Sequence, residues 1–196
     1  MAHKFDPKQM DKLDNPQRRQ TMPPAETLVK LGLKAGDIVA DIGCGIGYFS
    51  FPAAGIVGPR GKVYAADTSE VMQAELKKKL SAHPLDNLEI IASAEYEPGI
   101  PLNSSTFAFM SNVLHEVDDK GKFLRQVHGI LKAAGKIAVI DWEKREMPQG
   151  PPLQHRLDKK EVEALLLENG FTAVRTLQLT EDFYAVTAMK KERHRS

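Results

Sequence analysis

One cysteine in 196 residues, Cys44, excludes an internal disulfide and any cluster of thiolates around a metal. No metal site is expected. Charge of one sign is scarce in net terms, because 27 Lys and Arg stand against 26 Asp and Glu. No global field therefore draws nucleic acid or an anionic membrane, and neither is expected as a partner. The short basic runs at 77–79 and 190–195 read as solvated surface. There is no apolar run of membrane-spanning length and no apolar leader, so the expectation is a soluble, cytoplasmic protein. Repeats are missing too, and the length fits one domain with a sizeable core.

What the chain does carry is glycine concentrated at one place. Residues 39–50 read Val-Ala-Asp-Ile-Gly-Cys-Gly-Ile-Gly-Tyr-Phe-Ser. The apolar run 38–42 has the length of a buried strand, and Gly43, Gly45 and Gly47 follow at alternate positions. Tyr48, Phe49, Phe51, Ala53, Ala54, Ile56 and Val57 then form a set dense enough for a buried helix. Residues without a Cβ let the chain turn sharply and let a ligand approach the amides. Amides at a helix start favour an anion, whether carboxylate or phosphate. Asp41 separates the two: an anion beside a pyrophosphate is unfavourable, whereas an amino-acid-like ligand needs an acceptor for its ammonium. The spacing also departs from the G-x-G-x-x-G of dinucleotide sites.

Asp41-Ile42-Gly43-Cys44-Gly45-Ile46-Gly47 resembles the D-x-G-x-G-x-G signature of S-adenosylmethionine-dependent methyltransferases with the Rossmann-like fold. The alternation of strand and helix patterns from 38 to 140 independently requires a mostly parallel sheet covered on both faces. The resemblance sharpens this to an α/β, doubly wound, mostly parallel seven-stranded sheet with an antiparallel last strand. It implies S-adenosyl-L-methionine as cofactor.

The strand pattern 62–67 closes with Asp67, 20 residues after Gly47. An acid there faces the first glycine turn and can accept hydrogen bonds from ribose hydroxyls. Capping of the next helix, the alternative, falls better to Thr68 and Ser69. Tyr48 and Thr68 join the expected cofactor contacts. A third strand, 88–92, leads into Ser93, Ala94 and Glu95, where the resemblance places the adenine contacts. The aspartate common near Ser93 in the family is absent, which leaves Ser93 or Glu95 to meet the exocyclic amine.

The fourth strand, 107–112, ends in Asn112-Val113-Leu114-His115-Glu116, with Asn112 expected at the methionine half of the cofactor. Amino-group methylases of the family carry Pro-Pro-Tyr after this position, and its absence argues against methylation of base amines. Val113-Leu114-His115-Glu116 is similar to the Val-Leu-His-Asp stretch of small-molecule O-methyltransferases, in which the histidine removes the substrate's proton. An imidazole suits that task, since its unperturbed pKa of about 6.5 leaves it largely neutral at physiological pH. The structural alternative is a histidine that satisfies backbone groups. Glu116 would either orient the ring or face water near Asp118 and Asp119.

Residues 1–22 carry Phe5, Met10, Leu13 and Met22 among paired charges. They read as an ordered arm and possible lid over the ligand site, with Arg18 and Arg19 as substrate contacts, or else as a loosely packed surface arm. Residues 23–196 form the single domain. Pro23 and Pro24 open a helix with Leu28, Val29 and Leu31 inward, and a helix through Met72, Leu76 and Leu80 presents its lysines to water. Asp118 or Asp119 caps a helix that Lys132 and Gly135 end, and 136–142 is the fifth strand. Its Trp142 emerges at the substrate end, as pocket wall or as core. The Pro-rich loop 145–156 would shape access, with His155 and Arg156 as contributors. Asp158 and Glu161 form a capping box, and 174–179 with 183–189 close the sheet as a hairpin.

The late Asp-Trp followed by Gly-Pro-Pro is similar to small bacterial methyltransferases grouped with quinone-biosynthesis enzymes. The expected function is methyl transfer to an O, N or C nucleophile of a small molecule by a monomer or homodimer. Two other classes compete: a non-catalytic S-adenosylmethionine-binding protein, and a nicotinamide-dependent oxidoreductase, which needs the other glycine spacing. Arsenic methylation requires several thiols and is disfavoured.

Overall fold

A computed structural model describes residues 6–191. Phe5, expected in the arm, and residues 192–195 of the charged C-terminal run lie outside them. The central strand β1 (Ile38–Ile42) is flanked by β2 (Lys62–Asp67) and β4 (Ser105–Ser111), both parallel to it. Beyond β2 lies β3 (Leu88–Ala92); beyond β4 lies β5 (Leu131–Trp142), followed by β7 (Phe183–Lys190) and the edge strand β6 (Phe171–Gln178). The order is β3-β2-β1-β4-β5-β7-β6, and β7 alone runs against the rest. This is the expected seven-stranded sheet. The chain steps one way from β1 and returns on the other side at β4, so the carboxyl ends of those two strands form the crevice where ligands of open α/β sheets bind.

Helices cover both faces because the inner strands are apolar on both. On one face Ala40, Ala108, Met110, Ile137 and Val139 pack with residues of α5 (Lys120–Ile130) and α6 (Lys159–Glu168), Leu124, Val127, Val162 and Leu166 among them. On the other, Val39, Phe107, Phe109, Ala138 and Ile140 pack with α2 (Pro24–Lys30), α3 (Ser50–Val57) and α4 (Glu70–Ala82) through Leu28, Ala53, Val57 and Leu76. Asp119 caps α5 by accepting from the Lys122 amide, and the Asp158–Glu161 capping box forms.

Several local expectations need correction. Helix α5 stops at Ile130, and β5 begins at Leu131, whose buried side chain draws the chain into extended backbone. The stretch 132–135 is then an irregularity in the pairing with β4, with Ala134 at φ +56°. The fourth strand begins and ends earlier than expected, and Asn112 turns away from it at φ +61°, a region asparagine tolerates better than most residues. Val29 is 57% exposed, so Leu28 and Leu31 anchor the α2 segment instead. Lys79 reaches the Ile46 carbonyl at 3.3 Å rather than facing water.

The arm is ordered over its described length. A 3-10 segment, Pro7–Leu13, precedes α1 (Pro16–Thr21), each started by a side-chain cap, Asp6 and Asn15. The Tyr48 hydroxyl donates to the buried Met22 carbonyl at 2.9 Å, and Leu13 lies against Gly45, 3.3 Å from where a Cβ would stand.

Candidate active site

A cavity of about 1170 Å³ opens at the carboxyl ends of the strands, between the arm and the loops after β1 to β5. Single-ligand pockets usually reach about 300–1,000 Å³, so there is room for a cofactor and a second small molecule. Arg18, Asp41, Gly43, Gly45, Tyr48, Asp67, Thr68, Ser93, Ala94, Glu95, Asn112, His115 and Trp142, all named from the sequence, line it. Gly47 is not on this wall. A Cβ there would meet Leu76 at 2.5 Å and Phe51 at 3.1 Å, so this glycine serves packing of the turn against α4.

The glycine turn also differs from expectation in where its amides go. Gly43 and Cys44 donate to the Ala66 carbonyl, Gly47 to the Cys44 carbonyl, and Gly45 to Asp67 Oδ2 at 2.7 Å. These four amides hold the turn to β2 and to itself rather than facing a ligand. Of the three turn glycines Gly43 has the tightest steric requirement: at φ +71°, a Cβ would stand 2.3 Å from Val113 Cγ2 in the loop after β4. Gly43→Ala is expected to cost about 2–4 kcal/mol, from the left-handed backbone plus overpacking. Denaturant unfolding checks this, and a loss below about 1 kcal/mol would mean the two loops can separate cheaply.

Asp41 is buried and accepts from the Ser50 hydroxyl at 2.6 Å. Burial, opposed by that bond and reinforced by nearby Asp67, pushes its carboxyl up to about 7. A raised acid keeps in the folded state a proton that the unfolded chain releases near its ordinary 3.8. The stabilisation is complete below that value and is lost as pH rises to about 7. The unliganded protein should therefore lose up to about 1.4 kcal/mol per pH unit from this group between pH 5 and 6. Asp41→Asn should remove that slope in unfolding measured across pH; an identical slope in the variant would show that Asp41 is not its source.

Asp67 ties two loops together. Its Oδ2 takes the Gly45 amide and its Oδ1 the Ser69 amide at 2.8 Å, while Ser69 itself caps α4 by accepting from Met72. Burial raises its pKa, and the amide bonds work against that rise. A carboxylate has about four acceptor positions. The Gly45, Ser69 and Thr68 amides all act on it, and the remaining acceptor capacity is open to the cavity.

His115 is 4% exposed, and its Nδ1 lies 2.7 Å from Oδ1 of Asp141, which is fully buried. The same Oδ1 accepts from the Trp142 amide. In the neutral ring the carboxylate selects Nδ1 as the protonated nitrogen, which puts the lone pair on Nε2. Glu116, the orienting residue considered from sequence, stands 4.0 Å from Nε2, the other ring nitrogen. The orienting carboxylate is Asp141 instead, a residue the sequence reading left inside the fifth strand. The signal was its place one residue before Trp142, because β4 and β5 pair in parallel and Asn112 N bonds Ile140 O.

The cationic candidates divide. The Arg18 guanidinium lies 4.4 Å from the Tyr48 ring centroid, and Nη1 donates to the Leu13 carbonyl. Arg19 is bound to Asp14 by two bonds of 2.6 and 2.7 Å and is not on the cavity wall, which corrects its expected substrate contact. Arg156 is also corrected. It is buried, and it donates to the carbonyls of Glu143, Arg145, Gln149 and Pro151, stapling the loop before it. His155 lies off the wall. Trp142 stacks 4.2 Å from Phe183, with Gly150 against its ring.

Among the described residues, Ser111 Oγ, Asn112 Oδ1 and Asp141 Oδ2 are buried polar atoms without a hydrogen-bond partner. Unpaired buried groups are rare in finished cores, and Ser111 and Asn112 are on the cavity wall. Two acids able to accept from an ammonium and a ribose, and orphaned polar atoms at the end of β4, together fit S-adenosylmethionine. Among the described residues, no group of three or more His, Cys, Asp or Glu is placed to hold a metal.

An open, mostly parallel sheet with an acid-flanked cavity at its switch point is the setting in which α/β proteins bind nucleoside cofactors. The sequence pattern of the family described as methyltransferase domain matches residues 40–139. A crystal structure of a SAM dependent methyltransferase from Aquifex aeolicus is 34% identical, with a TM-score of 0.90, covering 95% of this chain and 100% of that one. The ubiquinone/menaquinone biosynthesis C-methyltransferase UbiE of Hahella chejuensis is 32% identical over 149 residues, 75% of this chain and 58% of that protein. A demethylmenaquinone methyltransferase of Listeria monocytogenes serotype 4a (strain HCC23) is 31% identical over 123 residues, 63% of this chain and 52% of that protein. The chain thus spans about half the length of the curated relatives it matches. It belongs to the S-adenosylmethionine-dependent methyltransferase family.

Proposed function

We propose that this chain transfers a methyl group from S-adenosylmethionine to an oxygen, nitrogen or carbon nucleophile of a small molecule. The bound cofactor supplies an electrophilic methyl on a sulfonium. In this reading Asp67 accepts from the ribose hydroxyls, Asp41 from the ammonium, and Ser93, Ala94, Glu95 and Thr68 surround the nucleoside. Gly43, Gly45, Tyr48 and Asn112 bound the methionine half. The acceptor lies beyond β4 and β5, where Trp142 and Phe183 give the wall apolar surface.

His115 Nε2 takes the proton of the acceptor's nucleophile, a contribution of about 10²- to 10⁴-fold. Asp141 holds Nδ1–H and stabilises the imidazolium. Holding the reactants in line and excluding water supply the rest. The observation that carries the proposal is His115, held by the buried Asp141, in the wall shared with Asp41 and Asp67.

The protein works in the cytoplasm as a monomer or homodimer, with the arm 6–22 as lid. Its near-neutral charge favours a small-molecule acceptor over nucleic acid or a membrane. No helix among the described residues is long and apolar enough to cross a membrane. The relatives named for quinone biosynthesis make hydroxylated aromatic rings the first acceptors to try. The test is mass-spectrometric detection of S-adenosylhomocysteine and methylated product across phenols, quinol precursors, amines and carboxylates. Product from one class is expected; cofactor binding without product from any would favour the non-catalytic reading.

A further inference from the structure

The amino-acid end of the cofactor carries two opposite charges, and Asp41 suits only the ammonium. The carboxylate would be repelled by Asp41 and Asp67. Four of the turn amides that might have received it are already spent on Ala66, Cys44 and Asp67. A desolvated carboxylate needs a cation or several donors.

The described cavity wall holds two basic chains besides His115, namely Lys12 and Arg18. Lys12 is exposed and donates to Gln9 Oε1 at 2.7 Å. Arg18 is half-buried against Tyr48, the residue directly after Gly47, and is bonded to the carbonyl of Leu13, which covers Gly45. That places its guanidinium beside the glycine turn. Its nearest acid in sequence, Asp14, is held by Arg19 through both oxygens, and no carboxylate among the described residues forms an ion pair with Arg18. A guanidinium has five donors in a planar fork matched to a carboxylate. One donor group, at Nη1, is bonded to Leu13.

We propose that Arg18 binds the α-carboxylate of the cofactor, so that the arm closes over the site as a clasp held by the ligand's own charge. This rests on the S-adenosylmethionine reading of the cavity. It assigns Arg18 to the cofactor rather than to the acceptor, where the sequence alone had placed it.

Two ligands separate the possibilities by titration calorimetry. S-adenosylhomocysteine has the amino-acid end, and 5′-methylthioadenosine has the same nucleoside and thioether without it. In Arg18→Gln, affinity for S-adenosylhomocysteine should fall about 10- to 100-fold, the range for hydrogen bonds to a charged group. Affinity for 5′-methylthioadenosine should stay within about twofold, which also shows that the variant is folded. Arg18→Lys should lie between, since it keeps the charge and loses the fork. Unchanged affinity for S-adenosylhomocysteine in Arg18→Gln would overturn the proposal. Equal losses for both ligands would also overturn it, because Arg18 would then act only by packing on Tyr48. A wild-type protein that bound neither ligand would refute the cofactor reading itself.

Discussion

Asp67→Ala is expected to weaken S-adenosylhomocysteine binding by about 100-fold or more. Each hydrogen bond from a ribose hydroxyl to the carboxylate is worth about 1.5–3 kcal/mol when the acceptor is charged, and the vicinal hydroxyls offer two. The variant should also lose about 1–3 kcal/mol of stability, because the Gly45 and Ser69 amides lose their acceptor. Asp67→Asn keeps an amide oxygen and should lose less of both. Calorimetry gives the affinity and denaturant unfolding the stability. Undiminished affinity in a folded Asp67→Ala protein would remove the ribose from this residue.

His115→Ala is expected to lower turnover by about 10²- to 10⁴-fold while leaving S-adenosylhomocysteine affinity within about twofold. Asp141→Ala should approach the same loss with the imidazole still present. Without the carboxylate, Nδ1–H loses its acceptor and the imidazolium its counter-charge. The two effects should not add, since both substitutions disable one unit. An acceptor already ionised at the assay pH gives the sharpest control, because it has no proton to lose and should be spared by both changes. Equal losses for ionised and un-ionised acceptors would make the pair a structural bond across β4 and β5.

The glycine turn, Asp67 and the end of β4 were legible in the sequence because each is a local signal: a change of periodicity, an acid at a strand end, a short motif. The alternating patterns imply a mostly parallel sheet, and of the thirteen cavity residues named above all but Arg18 of the arm stand at or just beyond the carboxyl ends of its strands. What stayed hidden was pairing across distance. Asp141 finds His115 only when parallel register sets β4 beside β5. Arg156 looks like a ligand residue in a loop, yet four carbonyls of its own loop claim it. Gly47 fits the motif, but Leu76, from a helix a full crossover away, decides its use. The amides of the turn looked free because their acceptors, the Ala66 carbonyl and Asp67, come from the neighbouring strand.

The most direct measurement is a crystal structure of the protein soaked with S-adenosylhomocysteine. The ligand should lie across the ends of β2, β1 and β4, with ribose oxygens on Asp67, the amino group on Asp41, and its sulfur facing the side of the cavity that holds His115 and Trp142. A crevice left empty at saturating ligand, or a nucleoside bound elsewhere on the molecule, would contradict it.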